Sequence, residues 1–290
     1  MTYELFIGDR SYSSWSLRGW LLFEPFGIPV TIRHIAFNAG PVAEQLSDLP
    51  PAQTVPVLRT PEGAVVAESL AIAEELATRH PDAGHWPADP LARATARALA
   101  AEMHSGFAAL RENCPMNLRA AYADYVPPEE VREDLARLET IWSHARATCQ
   151  PAGPWLCGDY STADVFFAPV AARIATYGLP VGPEAQAYVA AHLADPAVRR
   201  WRAMGLAKGD TLPWYARDYT LTDWPGPEPL PATPSDGPSE NTACPYSGEP
   251  VTHFLELDGR TFGFCNAFCR DKTMADPEAW PAFTRLLNTP

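Results

Sequence analysis

No run of twenty apolar residues occurs in this 290-residue chain, so nothing in it reads as a membrane-spanning helix. Basic residues are scarce. Twenty-two Lys and Arg against 35 Asp and Glu leave a net charge of −13, which argues against nucleic acid or an anionic membrane as partner, because phosphate would repel such a surface. The first residues, MTYELFIGDR, carry an acid where a secretory leader needs a basic segment and an apolar run, so a cytoplasmic location is expected. A disordered composition is missing too: 47% of the residues are hydrophobic and nine are Trp, which calls for packed cores. The length suits two domains, or two and an appendage.

The six cysteines are unevenly spread. Cys114, Cys149 and Cys157 stand singly in helical or apolar sequence and read as small buried side chains. Cys244, Cys265 and Cys269 cluster near the end, and clustering in a cytosolic chain points to metal more than to a disulfide.

From the start, YELFIG alternates as a short strand, SYSSWSLRGWLLF reads as a turn running into a helix, and PVTIRHIAF is a second strand. TVPVLRTPEGAVVA carries two short apolar strands joined through Pro61 and Gly63, and Glu68-Ser69 then opens a helix. After Pro81 the sequence turns helical throughout. Pro90 and Pro128 stand near helix starts, and Ser161 with Asp164 three residues on forms a capping-box pattern. Residues 224–241 hold six prolines and little that could build a core, and read as an extended linker. The expected divisions are 1–81, 82–222, a linker at 223–242, and a tail at 243–290.

Any one of Ser13, Ser14 or Ser16 suffices to cap the first helix, so three serines raise the question of a second role. The order of motifs supplies an answer. SSWSLR after the first strand, TVPVL with Pro56, ESLAI at the next helix start, and GDYSTADVFFAPV together resemble the glutathione transferase family, nearest to its zeta-like and related bacterial serine-type members. The resemblance covers residues 1 to about 220. It implies an α/β thioredoxin-like domain followed by an all-α domain, with glutathione as cofactor, a small hydrophobic electrophile as second substrate, and a homodimer.

What the resemblance implies for residues is specific. Ser13 matches the catalytic serine, with Ser14 as the alternative, donating a hydrogen bond that keeps the glutathione sulfur ionised. Lowering a thiol pKa from about 8.5 to about 6.5 takes roughly 2.7 kcal/mol, and one hydrogen bond to a charged group supplies roughly 1.5–3 kcal/mol. Val55, before a cis Pro56, offers its backbone to the cysteinyl part; Glu68 and Ser69 hold the γ-glutamyl amine and carboxylate. Arg18 orients the loop, and Gln53 and Asn38 are candidates for the glycyl end. Trp15 stands where the zeta motif has cysteine, which puts maleylacetoacetate isomerase activity in question; isomerisation, reductive dehalogenation and a non-catalytic binding role remain alternatives. The electrophile is expected against Met103, Phe107, Leu110 and Met116, with His104, Arg111 and Asn117 as polar candidates.

The tail spacing C-x20-C-x3-C, with a hairpin turning at Asp258-Gly259, resembles the TRASH and YHS metal-binding modules. It implies a small zinc-ribbon-like α+β unit in which Cys244, Cys265 and Cys269 bind metal, with zinc as the candidate ion. Structural zinc prefers four ligands; His253 is the best in-range fourth, with Asp271 or water as alternatives.

Overall fold

A computed structural model describes residues 2–289 and divides the chain into two compact units: residues up to 193 together with 211–225, and residues 194–210 together with 226–290. Among the described residues no helix is long and apolar enough to cross a membrane.

The first unit opens on β1 (Tyr3–Ile7), whose alternation buries Tyr3, Leu5 and Ile7. Helix α1 (Ser14–Leu21) then carries the chain to β2 (Val30–His34), which pairs parallel to β1. A single turn, α2 (Val42–Gln45), precedes the hairpin of β3 (Val57–Arg59) and β4 (Val65–Ala67), and α3 (Ser69–Arg79) follows. The sheet order is β2-β1-β3-β4, with β3 antiparallel to β1. This is the thioredoxin-like arrangement that the family resemblance implies.

The rest of the unit is helical: α4 (Pro90–Ser105), α5 (Ala108–Asn113), a short β5 (Ala121–Tyr122), α6 (Glu129–Cys149), α7 (Thr162–Tyr177) and α8 (Pro183–Ala194). Helix α4 packs against α6 and α7, and α7 also meets α1. The capping box forms as its sequence suggests. Ser161 caps α7 and the buried Asp164 carboxylate accepts from the Ser161 and Leu156 amides and from the Tyr188 hydroxyl. Nearly every residue of α7 is buried, which makes it the central post of the unit.

The second unit contains α9 (Pro196–Ala207), a helix that the sequence places within the all-α stretch. Arg199 holds Asp276 through two hydrogen bonds of 2.8 and 2.7 Å, and α9 packs closely on α10, so its partners lie in the tail. The chain returns to the first unit for β6 (Leu221–Thr222), which pairs with β5, and then builds β7 (Thr233–Ser235), β8 (His253–Leu257), β9 (Arg260–Phe264), α10 (Ala267–Ala275) and α11 (Pro281–Leu287). Leu255, Leu257, Phe262, Phe264 and Phe283 form the core of this small α+β unit, with Ala203 of α9. Asp258 and Gly259 both take positive φ, 52° and 73°, as a tight two-residue hairpin turn requires. Strand β7 lies inside the proline-rich stretch read as linker. It is an edge strand, where Pro234 needs no amide to donate on its open side.

Candidate functional site

The strand-to-helix corner after β1 is built on its serines. Ser13 is the N-cap of α1, and its Oγ accepts from the Ser16 amide at 3.3 Å. The Ser13 hydroxyl donates in turn to Ser16 Oγ at 2.7 Å, and Ser16 Oγ accepts from the Gly8 amide at 2.9 Å. One serine thus caps the helix, and another ties the corner to the strand. Ser14 differs from both. It is the first residue of α1, only half-buried, and its Oγ accepts a hydrogen bond from Arg173 Nη2 at 3.2 Å. Among the described residues its own proton is committed to no hydrogen bond.

The cis Val55–Pro56 peptide approaches the same corner. Gly19 permits this: a Cβ there would meet Pro56 Cβ at 2.7 Å, so any other residue would push α1 off the loop. Ser13, Ser14, Trp15 and Val55 line one cavity of about 370 Å³, together with Arg111 and Arg173. The sequence-predicted Gln53 is exposed and does not line it, whereas its neighbour Thr54 does. Asn38 is exposed, and Phe37 lines the cavity instead. Two other cavities, about 220 Å³ between α6 and α8 and about 820 Å³ where α3 runs into α4, contain none of these groups.

Helix α3 presents its first residues in an unusual state. Glu68 adopts φ 71°, a strained left-handed conformation for a residue with a side chain, and gives α3 no cap hydrogen bond. Ser69 is fully buried, and among the described residues its Oγ has no hydrogen-bond partner. A buried hydroxyl without a partner is costly, and a bound polar group would relieve it. Glu68 faces His104 at 3.7 Å, and the His104 ring meets Trp15 edge-on at 5.3 Å. Burial, together with the Arg18 charge, pushes the His104 pKa down, so the ring is neutral at pH 7.

Three arginines surround Trp15 and Ser14. Arg18 is buried; its Nε donates to Phe166 O at 3.1 Å and its guanidinium lies 4.7 Å from the Trp15 ring. Arg111 of α5 approaches the same indole at 4.7 Å. Arg173 of α7 is also buried, donating to Cys114 O at 2.8 Å and to Ser14. None of the ion pairs among the described residues engages any of the three. Burial lowers the Arg18 pKa, and the charges of Arg111 and Arg173 lower it further. Arg173 falls to about 10 through burial and the neighbouring Arg111, and stays protonated at neutral pH. The three guanidiniums give the corner a positive potential.

Residue motifs alone did not find Arg173, which lies 159 residues from Ser14. The available signal was its position, a lone basic residue within the apolar helix TADVFFAPVAARIATY. Tyr12 and Tyr215, whose rings stack at 4.7 Å, also line the cavity without local warning. Of the residues expected against the electrophile, Met116 and Arg111 line the cavity; Met103, Phe107 and Leu110 are buried core, and the Asn117 side chain accepts from the Arg119 amide.

Residues 12–79 match the family described as "Glutathione S-transferase, N-terminal domain". A "Probable maleylacetoacetate isomerase" from Caenorhabditis elegans is 28% identical over 179 residues, 60% of this chain and 79% of that protein. Among solved structures, a Burkholderia glutathione transferase homolog with bound glutathione covers 71% of this chain and 98% of its own, with 24% identity and a TM-score of 0.53. Ure2p in complex with glutathione covers 69% of this chain and 93% of its own, with 21% identity and a TM-score of 0.54. The fold is that of these proteins: a thioredoxin-like domain followed by helices.

In the second unit, the sulfurs of Cys244, Cys265 and Cys269 lie within 4.8 Å of one another, the last two at 3.9 Å. Cys265 Sγ accepts from Ser247 Oγ at 3.3 Å and from Asn266 Nδ2 at 3.2 Å. Burial pushes the Cys244 thiol up, but backbone amides at Cys265, Tyr246 and Ser247 more than offset that and bring it down to about 7. The Lys272 ammonium lies 3.7 Å from the Tyr246 ring centre and 4.1 Å from that of Trp280. His253, expected as a fourth ligand, is not part of this cluster: its Nδ1 meets Thr252 Oγ1 at 2.9 Å. Asp271 is likewise engaged, by Arg270 at 2.7 Å. Among the described residues the donor set is three sulfurs.

Proposed function

We propose that the first unit is a glutathione-dependent transferase, in which glutathione thiolate sits at the N-terminus of α1 and attacks an electrophile in the same cavity. One observation carries the reading: Ser14 presents its hydroxyl at that helix start with a buried, carboxylate-free arginine behind it. Arg173 polarises the Ser14 oxygen, which makes the hydroxyl a stronger donor to an anion. The positive end of α1 and the neighbouring guanidiniums favour the same charge state of the sulfur. Serine acts as donor and keeps its proton; the sulfur's proton leaves to solvent. Ser13, whose hydroxyl is directed at Ser16, holds the corner in shape.

The rest of glutathione falls on residues that suit it. Val55 beside cis Pro56 has a backbone that can pair with the cysteinyl amide in the manner of an added strand. The unpartnered Ser69 hydroxyl at the start of α3 suits the γ-glutamyl carboxylate, and Glu68 suits its amine. Calorimetric titration of glutathione into the full chain tests this, with Ser69→Ala expected to weaken binding about tenfold, the size of one charge-assisted hydrogen bond. Absence of glutathione binding to the unaltered chain would sink the proposal.

A second reading is supported by the resemblance to the worm protein, whose name describes an isomerase. Isomerisation returns glutathione unchanged, whereas transfer consumes one per turnover. Following glutathione with a thiol reagent during turnover separates the two.

For the second unit we propose a metal centre on Cys244, Cys265 and Cys269. Thiolates around one zinc ion at about 2.3 Å stand about 3.8 Å apart, and the observed sulfur spacing needs little adjustment to reach that. Three thiolates and a divalent ion leave one negative charge, which the Lys272 ammonium balances. When bound, the ion would cross-link the hairpin end to α10 and the knuckle at Cys244, a structural role suited to so small a core. The full chain is expected to bind about one zinc per chain, with Cys269→Ser abolishing it; a chain that takes up none from added zinc refutes the centre.

A further inference from the structure

Cys149 and Cys157 read as isolated cysteines in the sequence, yet the fold brings them together. Cys149 is the last residue of α6, and residues 150–156 form the loop that leads to Cys157. That loop is pinned from both sides. Arg146 of α6 donates from Nη1 to the Gly153 carbonyl at 3.5 Å and from Nη2 to the Pro154 carbonyl. The Leu156 amide donates to the buried Asp164 carboxylate at 3.1 Å. Gln150 takes φ 47° at the α6 C-cap and Gly158 takes φ 116°, so the chain turns next to each cysteine. The two thiols end in hydrogen-bonding contact.

Both line the cavity of about 820 Å³ where α3 runs into α4, whose wall carries charges of both signs on Glu74, Asp82, Arg93 and Arg97. Cys149 is half-buried, whereas Cys157 is only 2% exposed. Access therefore differs between two sulfurs that already touch. Burial pushes the Cys157 thiol up, and an ionised Cys149 beside it pushes it further, so Cys149 is the sulfur that reacts first. Neither thiol takes part in the chemistry at the α1 corner. Both belong to the first unit, whereas Cys244, Cys265 and Cys269 belong to the second.

We propose that Cys149 and Cys157 are a redox-active dithiol that a small peptide disulfide oxidises from the cavity. The Cys149 thiolate attacks one sulfur of that disulfide. A new sulfur–sulfur bond forms, the old one breaks, and the departing thiolate takes the electron pair and then a proton. Bonded Cys149 no longer sets a charge against Cys157. Cys157 then loses its proton and attacks the Cys149 sulfur, expelling the second thiolate, which is protonated in turn. The two cysteine sulfurs lose two electrons between them, and the peptide disulfide becomes two thiols. The new bond staples the end of α6 to the loop that Asp164 holds at the start of α7. Wall charges of both signs suit a zwitterionic peptide, and glutathione disulfide is the probe. The inference stands whether or not the α1 corner binds glutathione.

The full chain is incubated with a large excess of glutathione disulfide, quenched in acid, alkylated and mapped by mass spectrometry of its peptides. The map reads each cysteine separately, so oxidation of Cys244, Cys265 or Cys269 does not interfere. The unaltered chain is expected to show a Cys149–Cys157 bond. Cys157→Ser is expected to retain at least about tenfold more glutathione on Cys149 than the unaltered chain, where the adjacent thiol displaces it intramolecularly. Cys149→Ser is expected to leave Cys157 reduced. Recovery of both cysteines as free thiols from the unaltered chain overturns the inference, as does glutathione that stays on Cys149 there or enters at Cys157 first. The map of the unaltered chain decides the matter even where a serine variant fails to fold.

Discussion

Two adjacent serines at the start of α1 have opposite assignments of their protons. The motif SSWSLR points to Ser13 through its resemblance to serine-type transferases, with Ser14 as the alternative. The separation comes from Arg173, which no spacing rule links to residue 14 because the link is tertiary. Ser14→Ala is expected to lower kcat/KM for any glutathione-consuming reaction by about 10- to 100-fold near pH 6.5, equivalent to one hydrogen bond to an anion. Ser13→Ala removes an N-cap and is expected to cost about 1 kcal/mol of stability with a smaller loss of activity. Steady-state kinetics with thermal unfolding of both variants checks this; the reverse pattern would hand the sulfur to Ser13. At this scale the residue types were legible, and their partners were not.

At the scale of elements, the strands and helices followed from local rules because the local rules were met. Alternation in YELFI, the capping box at Ser161, and the Asp258-Gly259 turn each state their structure within a few residues. The role of α7 did not show itself, since a helix buried on every face has no polar stripe to set its orientation. Its neighbour α8 hides a second unannounced feature. His192 is fully buried against Trp155 and Tyr188, at ring distances of 5.1 and 4.6 Å, and among the described residues neither ring nitrogen has a hydrogen-bond partner. Burial depresses its pKa to about 3, from about 6.5 in an unfolded chain. The unfolded state therefore holds the proton more readily, so the stability this site contributes is present above pH 6.5 and is lost as the pH falls towards 3. The loss proceeds at no more than about 1.4 kcal/mol per pH unit. His192→Leu, compared with the unaltered protein in chemical denaturation from pH 7 to pH 4, is expected to flatten that slope. An unchanged slope would show that other groups carry the acid sensitivity.

For the whole molecule, composition anticipated an acidic chain with packed cores and a separate cysteine-bearing end. It misjudged where that end recruits its helix. A periodic helix gives no sign of which neighbour it will serve; α9 declares its allegiance only through Arg199 on Asp276 and through its packing on α10. Asp276 is buried, and a buried carboxylate stripped of its partner costs about 3–5 kcal/mol. A chain truncated after residue 225 leaves α9 without those contacts, and amide exchange in residues 196–207 is expected to accelerate by at least about a hundredfold, while α7 stays protected. Equal protection of α9 in both chains would mean that the tail is an independent appendage.

Glutathione-dependent chemistry at the α1 corner depends most on the ionisation of a sulfur, and the ultraviolet absorbance of the thiolate, followed across a pH titration of the glutathione-saturated full chain, reports it directly. The predicted result is a bound thiol titrating near pH 6.5, about two units below an ordinary cysteine, and moving up in Ser14→Ala. A bound thiol that titrates at about 8.5 or above would contradict it, because the serine, the helix start and the buried arginines would then be doing nothing for the anion.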